Sequence, residues 1–147
     1  MPITEKSKHR KEEFIKQLIA SGINLIEIPK HRGTFYKVKS HTIYLRTTTK
    51  DAPKYWYDVP SDVLIDIDYL IFQTTTKYHF VLFPKSFIKQ IYNSLKDSNR
   101  PNTKIFYIDW FNDNGETLSS NNYSINISEY CCSTQPSNQY GNYEFLK

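Results

Sequence analysis

The sequence is short of several things, and each shortage closes a route. Its 147 residues include two cysteines, and these are the neighbours Cys131 and Cys132. Adjacent cysteines form only a strained disulfide, and no Cys-x-x-Cys spacing exists to hold zinc. Both are read as reduced thiols, so the expected compartment is the cytoplasm. With 4 glycines in all, the chain has no Gly-x-Ser-x-Gly, no phosphate-cradling glycine loop and no dinucleotide-binding motif. No apolar run approaches the ~18 residues that a membrane helix needs. The opening MPITEKSKHRKEEF is charged and lacks the apolar centre of a signal peptide. No membrane partner is expected. His9, His31, His41 and His79 show no ligand spacing with cysteine or carboxylate, so no metal site is expected from them.

Aromatic residues are what the chain has in quantity. Twelve Tyr and 9 Phe among 39% hydrophobic residues exclude a disordered chain and favour strands over an all-helical bundle. The length suits one domain, 1–147, with a core of its own. A net charge of +4 permits contact with phosphate or an acidic partner without requiring it.

Periodicity places the elements. Over 7–21, Phe14, Ile15, Leu18 and Ile19 fall on one helical face, with Ser7 suited to the N-cap and Gly22 to the C-terminal turn. INLIEI reads as a strand ended by Pro29. After the basic loop of Lys30, His31, Arg32 and Gly33 come two short strands, TFYKV and TIYLRT, with a turn at 39–41. KYWYDV is a further strand stopped at Pro60. DYLIFQ and YHFVLF form a hairpin about 74–77, the first apolar enough to be a covered central strand. Pro84 suits the first position of a helix over 84–98, with Phe87, Ile88, Ile91 and Leu95 inward. KIFYIDW is a late strand and NDNGETLSSNN a polar loop, within a polar, partly irregular segment 112–147. This order predicts an α/β (α+β) domain: a central mixed β-sheet flanked by helices.

In this layout the chain resembles the restriction endonuclease-like, or PD-(D/E)XK, nuclease superfamily, from about Lys8 to Leu95. The likeness is carried by an opening helix and first strand, then by TIYLRTTTK, where such nucleases carry Glu-x-Lys or Gln-x-Lys. The hairpin DYLIFQTTTKYHFVLFP before a helix extends it, with an echo in INISEY and NYEFL. The resemblance implies a restriction endonuclease-like core. In the family's nucleases it also implies Mg²⁺ held by Asp and Glu, with Lys acting on water and phosphate. Here the Asp position falls near Tyr36 or Lys37, and Glu-x-Lys falls on Tyr44, Leu45 and Arg46. Arg46 keeps the positive charge, but neither carboxylate is there. The expectation is a degenerate site with no catalytic residue and no cofactor. The alternative is an active Mg²⁺ nuclease with relocated carboxylates, in which Glu12 or Glu27 is a ligand and Arg46 stands in for the lysine.

Basic residues nevertheless recur near this region: Lys30, His31, Arg32, Lys37, Lys39, Arg46 and Lys50, with Tyr44 and Trp56 beside them. On adjacent strands, Lys37 and Arg46 share a face. They are expected to hold the phosphates of DNA or RNA without cutting, in a salt-sensitive way, while Tyr and Trp stack on bases. The other class of partner is a protein, with this chain an inhibitor- or immunity-like module, or a second copy in a homodimer. The Asn-, Ser- and Tyr-rich stretch from Asn112 would supply contact area. The position of charge separates the two. A continuous positive groove across Lys37 and Arg46 favours nucleic acid, whereas an aromatic patch rimmed by both signs favours protein.

Overall fold

The computed structural model describes residues 5–29, 34–47, 54–74, 76–110, 116–119 and 124–147. Helix α1, Glu5–Ala20, opens the chain. It starts ahead of Ser7, which therefore lies within the helix and not at the N-cap position. Phe14 and Leu18, four apart, are fully buried, while Ile19 stays 51% exposed because the buried stripe is narrower than the sequence pattern. Gly22 ends the helix at φ +107. The Ile23 amide donates to the Leu18 carbonyl and the Gly22 amide to that of Ile19, both at 3.0 Å. Leu18 and Ile23 are both buried in the same cluster, which completes a Schellman motif.

The strands divide between two sheets. The first is six-stranded, with the order β1-β2-β3-β5-β6-β11. Its members are β1 (Ile26–Glu27), β2 (Phe35–Val38), β3 (His41–Arg46), β5 (Tyr69–Gln73), β6 (His79–Pro84) and β11 (Cys131–Ser133). All neighbours are antiparallel except β3 and β5, which run parallel with Ile43 opposite Tyr69 and Arg46 opposite Phe72. The expected mixed sheet is therefore present. Its covered central strand is β5, where residues 70 to 73 are all buried.

The second sheet is the feature the sequence pattern did not separate. It has the order β10-β9-β8-β4, antiparallel throughout. These strands are β4 (Lys54–Pro60), β8 (Thr103–Trp110), β9 (Glu116–Ser119) and β10 (Ser124–Asn126); β7 (Lys96–Asp97) also pairs with β8. β9 lies inside the segment expected to be a polar loop, held because Leu118 is fully buried between polar neighbours. The chain reaches β4 directly from β3 and returns through the short helix α2, Val63–Asp66, to β5.

One core fills the space between the sheets. Tyr55, Tyr57 and Val59 of β4 alternate inward to meet Phe72 and Leu70 of β5 and Phe106 and Ile108 of β8. The Tyr57 and Phe72 rings stack at 4.2 Å and 3°, and the Tyr57 hydroxyl donates to the Gln73 carbonyl. Helix α3, Lys85–Ile91, adds Ile88 and Ile91, and Leu95 follows it inward. Pro84 sits outside α3 as its extended N-cap residue and as the last residue of β6. The helix also stops at Ile91, short of the expected 98, where a 3-10 turn and β7 take over.

A second core lies on the other face of the six-stranded sheet. There Val38, Ile43, Leu45, Ile71 and Phe80 pack against Phe14 and Leu18 of α1 and against Tyr143 and Leu146. The mixed sheet thus has α1 on one face, and α3 with a whole second sheet on the other. Among the described residues, no helix is long and apolar enough to cross a membrane.

Candidate functional site

Among the described residues, the predicted basic residues do not gather in one place. Lys30, His31, Arg32 and Lys50 lie outside the described residues. Lys37 and Arg46 do share a face, because Lys37 pairs with Thr42 and Arg46 is four residues further along β3. They stand at opposite ends of it, about 13 Å apart along the strand, with buried Phe35 and Tyr44 between them. Lys37 is exposed and donates from Nζ to Thr42 Oγ1 at 3.2 Å. Arg46 is half-buried and turned to the second sheet. Its Nη1 donates to the Tyr44 hydroxyl at 2.9 Å and to the Asp58 carbonyl at 3.3 Å. Tyr44 is 5% exposed and packs on Phe35 at 5.2 Å, so its ring offers no base a surface. Lys39 occupies the two-residue turn between β2 and β3 at φ 55, exposed.

The carboxylates considered as relocated ligands are dispersed too. Glu27 pairs with Tyr36, which puts it on the α1 face of the sheet, opposite to the face Arg46 takes. Burial, aided by Glu27, pushes the Tyr36 hydroxyl up to about 12. Burial likewise lowers Lys11, whose Nζ lies 5.8 Å from the centre of the Tyr36 ring. Glu12 is exposed on α1, in a surface cleft with His9, Lys16 and Lys77. Among the described residues, no three His, Cys, Asp or Glu side chains come together as a metal-binding group. A divalent cation on the Arg46 face would meet a guanidinium and a phenol, which do not fit it.

Trp56 is where the sequence reading and the exposed surface meet. Because Tyr55 and Tyr57 point into the core, Trp56 must point out, and it is 47% exposed. Register then builds the rest of that outer face. Tyr107 lies directly opposite Trp56 on β8, and Ser119 of β9 lies opposite Tyr107 on its other side. Lys96, paired with Ile105, places its Nζ 5.1 Å from the centre of the Tyr107 ring, within cation–π range. Asp58 flanks Trp56 on the same face, and Asp109 flanks Tyr107, with Ser119 Oγ donating to Asp109 Oδ2 at 3.1 Å. The outer face therefore carries an aromatic row, Trp56 and Tyr107, extended by Ile105 and bracketed by Asp58, Asp109 and Lys96, and the register adds Lys54 opposite Asp109.

Tyr107, Ile105 and Lys96 were not singled out in the sequence. The alternation in KIFYIDW does put Ile105, Tyr107 and Asp109 on one side, so the signal was present. What the pattern lacks is any mark that this side stays uncovered. Comparison of the chain with protein-family models, curated proteins and solved structures finds no match.

Proposed function

We propose that this chain is a non-catalytic protein-binding module whose interface is the outer face of the second sheet, centred on Trp56 and Tyr107. One observation carries the reading: the aromatic row is bracketed by Asp58 and Asp109 as well as by Lys96. A phosphate backbone laid along Trp56 and Tyr107 would pass two carboxylates, which repel it. A protein surface with its own mixed rim meets no such penalty, and exposed Trp and Tyr are the residue types that dominate such contacts. The restriction endonuclease-like ancestry of the six-stranded sheet belongs to the same proposal. Supporting it are the opening helix and the β1-β2-β3 meander, while Tyr44, Leu45 and Arg46 stand where the family's nucleases hold metal.

The test compares the wild type with Trp56→Ser/Tyr107→Ser, both surface changes expected to leave the melting temperature nearly unchanged. Each protein is immobilised and challenged with host lysate, and retained proteins are quantified. A protein retained by the wild type and lost at least tenfold by the double variant supports the interface. Equal retention removes it. Fluorescent single- and double-stranded DNA and RNA are titrated in parallel at two salt concentrations, with and without Mg²⁺. Salt-sensitive binding weakened by Lys37→Ala would move the function to nucleic acid, and metal-dependent cleavage would restore Glu12 and Glu27 as candidates.

A further inference from the structure

A different part of the molecule holds a cleft of about 230 Å³, open on one side. That is below the ~300 to 1,000 Å³ of sites for drug-sized molecules, so a nucleotide is too large and a head group of a few heavy atoms fits. Three aromatic rings line it: Tyr69 at the start of β5, Tyr130 just before β11, and Phe145. Leu82 and Cys132 form its buried floor. Glu129 is its one charged lining residue.

The rings are held in place by their neighbours. Tyr69 and Phe145 meet at 5.0 Å with planes 40° apart, and His41 braces both, edge-on, at 5.3 and 5.6 Å. Tyr130 rests on Phe87 at 4.5 Å, and burial, aided by the neighbouring Glu129 carboxylate, raises the pKa of its hydroxyl. An anion would find no positive group in this lining. A primary ammonium, which must keep its hydration or find several acceptors, would find Glu129 and Asn142 among rings and apolar groups. A methylated ammonium is weakly hydrated, is attracted by aromatic quadrupoles, and is neutralised by one carboxylate at the rim.

We propose that this cleft binds a methylated ammonium group, with Tyr69, Tyr130 and Phe145 as its walls and Glu129 as its counter-charge. The group has two sources, a free quaternary amine such as choline or a trimethylated lysine in a polypeptide, and the shared chemistry is what the cleft recognises. The site is independent of the Trp56 face, and each can fail alone.

The experiment is a titration of the ¹⁵N-labelled full chain, followed by amide shifts, with four probes. These are choline, its neutral isostere 3,3-dimethylbutan-1-ol, a trimethyllysine peptide and the same peptide unmethylated. Saturable shifts at 129–132 and 142–146, with choline about tenfold tighter than the neutral isostere, support the site. A preference for the trimethyllysine peptide over both choline and the unmethylated peptide supports it too and names a polypeptide as the source. Equal binding of choline and the isostere overturns the proposal, because the cleft is then merely apolar. An absence of saturable shifts with all four overturns it as well. Phe145→Leu keeps an apolar side chain of similar reach at a partly exposed position, so folding is retained. It is expected to abolish the preference for the cation, and Glu129→Gln to weaken choline several-fold while leaving the isostere unchanged.

Discussion

Two glycines with nearly the same backbone angle carry different burdens. At Gly22, φ +107, the nearest atoms to an added methyl belong to the flexible Lys147 side chain, at 3.5 Å. Gly22→Ala is therefore expected to cost about 1 kcal/mol, the backbone penalty alone. At Gly141, φ +102, an added methyl would meet the Cys132 Sγ at 2.5 Å and its Cα at 2.7 Å. The segment here is stitched to β11 by reciprocal bonds between Ser133 and Tyr140, so it cannot move away freely. Gly141→Ala should cost at least about 2 kcal/mol, and urea midpoints for the two variants should rank in that order. His79 gives a second residue-scale prediction. Burial lowers its pKa below the usual 6.5, and its Nδ1 meets Thr76 Oγ1 at 2.5 Å. The folded state thus binds that proton less readily than the unfolded one. The contribution is fully present above about pH 6.5 and is lost as pH falls through the folded value. His79→Asn should flatten this part of the acid limb when urea midpoints are compared between pH 7.5 and 5.5.

At the scale of elements, helix α1 holds its sheet through a narrow stripe. Leu18→Ala removes a fully buried side chain from the stripe and from the Schellman contact with Ile23, so a loss of about 2 to 5 kcal/mol is expected, read from chemical unfolding. Arg46 ties β3 to β4 through the Asp58 carbonyl. Arg46→Met should lower stability by about 1 to 3 kcal/mol even if no ligand is ever bound there, and that separates a tie from a phosphate contact. Most elements were legible beforehand because their signals are local. Phe14 and Leu18 repeat at helical spacing, the 69–84 hairpin is two apolar runs about a polar turn, and Gly22 and Pro60 punctuate the chain. The failures share one cause. Whether a strand such as KYWYDV joins β3 or builds a second sheet depends on partners far away in sequence, and nothing within seven residues encodes that choice. The same holds for the site: Arg46 reads as a free cation until β4 is placed against it, and Tyr44 as a stacking surface until Phe35 covers it.

For the whole molecule, the cross-sheet core makes each sheet's stability depend on the other. Tyr57 of β4, Phe72 of β5 and Phe106 of β8 contact one another across the gap. Urea unfolding followed by tryptophan fluorescence and by far-ultraviolet dichroism should therefore give coincident curves, and two separated transitions would show that the sheets come apart independently. The detour of the chain through β4 has a further consequence during synthesis. β4 leaves the ribosome well before β8, its long partner, has been made. Through that interval β4 has no strand to pair with, so the backbone edges of an aromatic strand stay open even where Phe72 can cover Tyr57, the kind of segment that recruits other nascent chains. Chains truncated just before Thr103 should accumulate in the insoluble fraction while the full-length protein does not, and for this sequence the speed of translation between 60 and 110 becomes a determinant of yield.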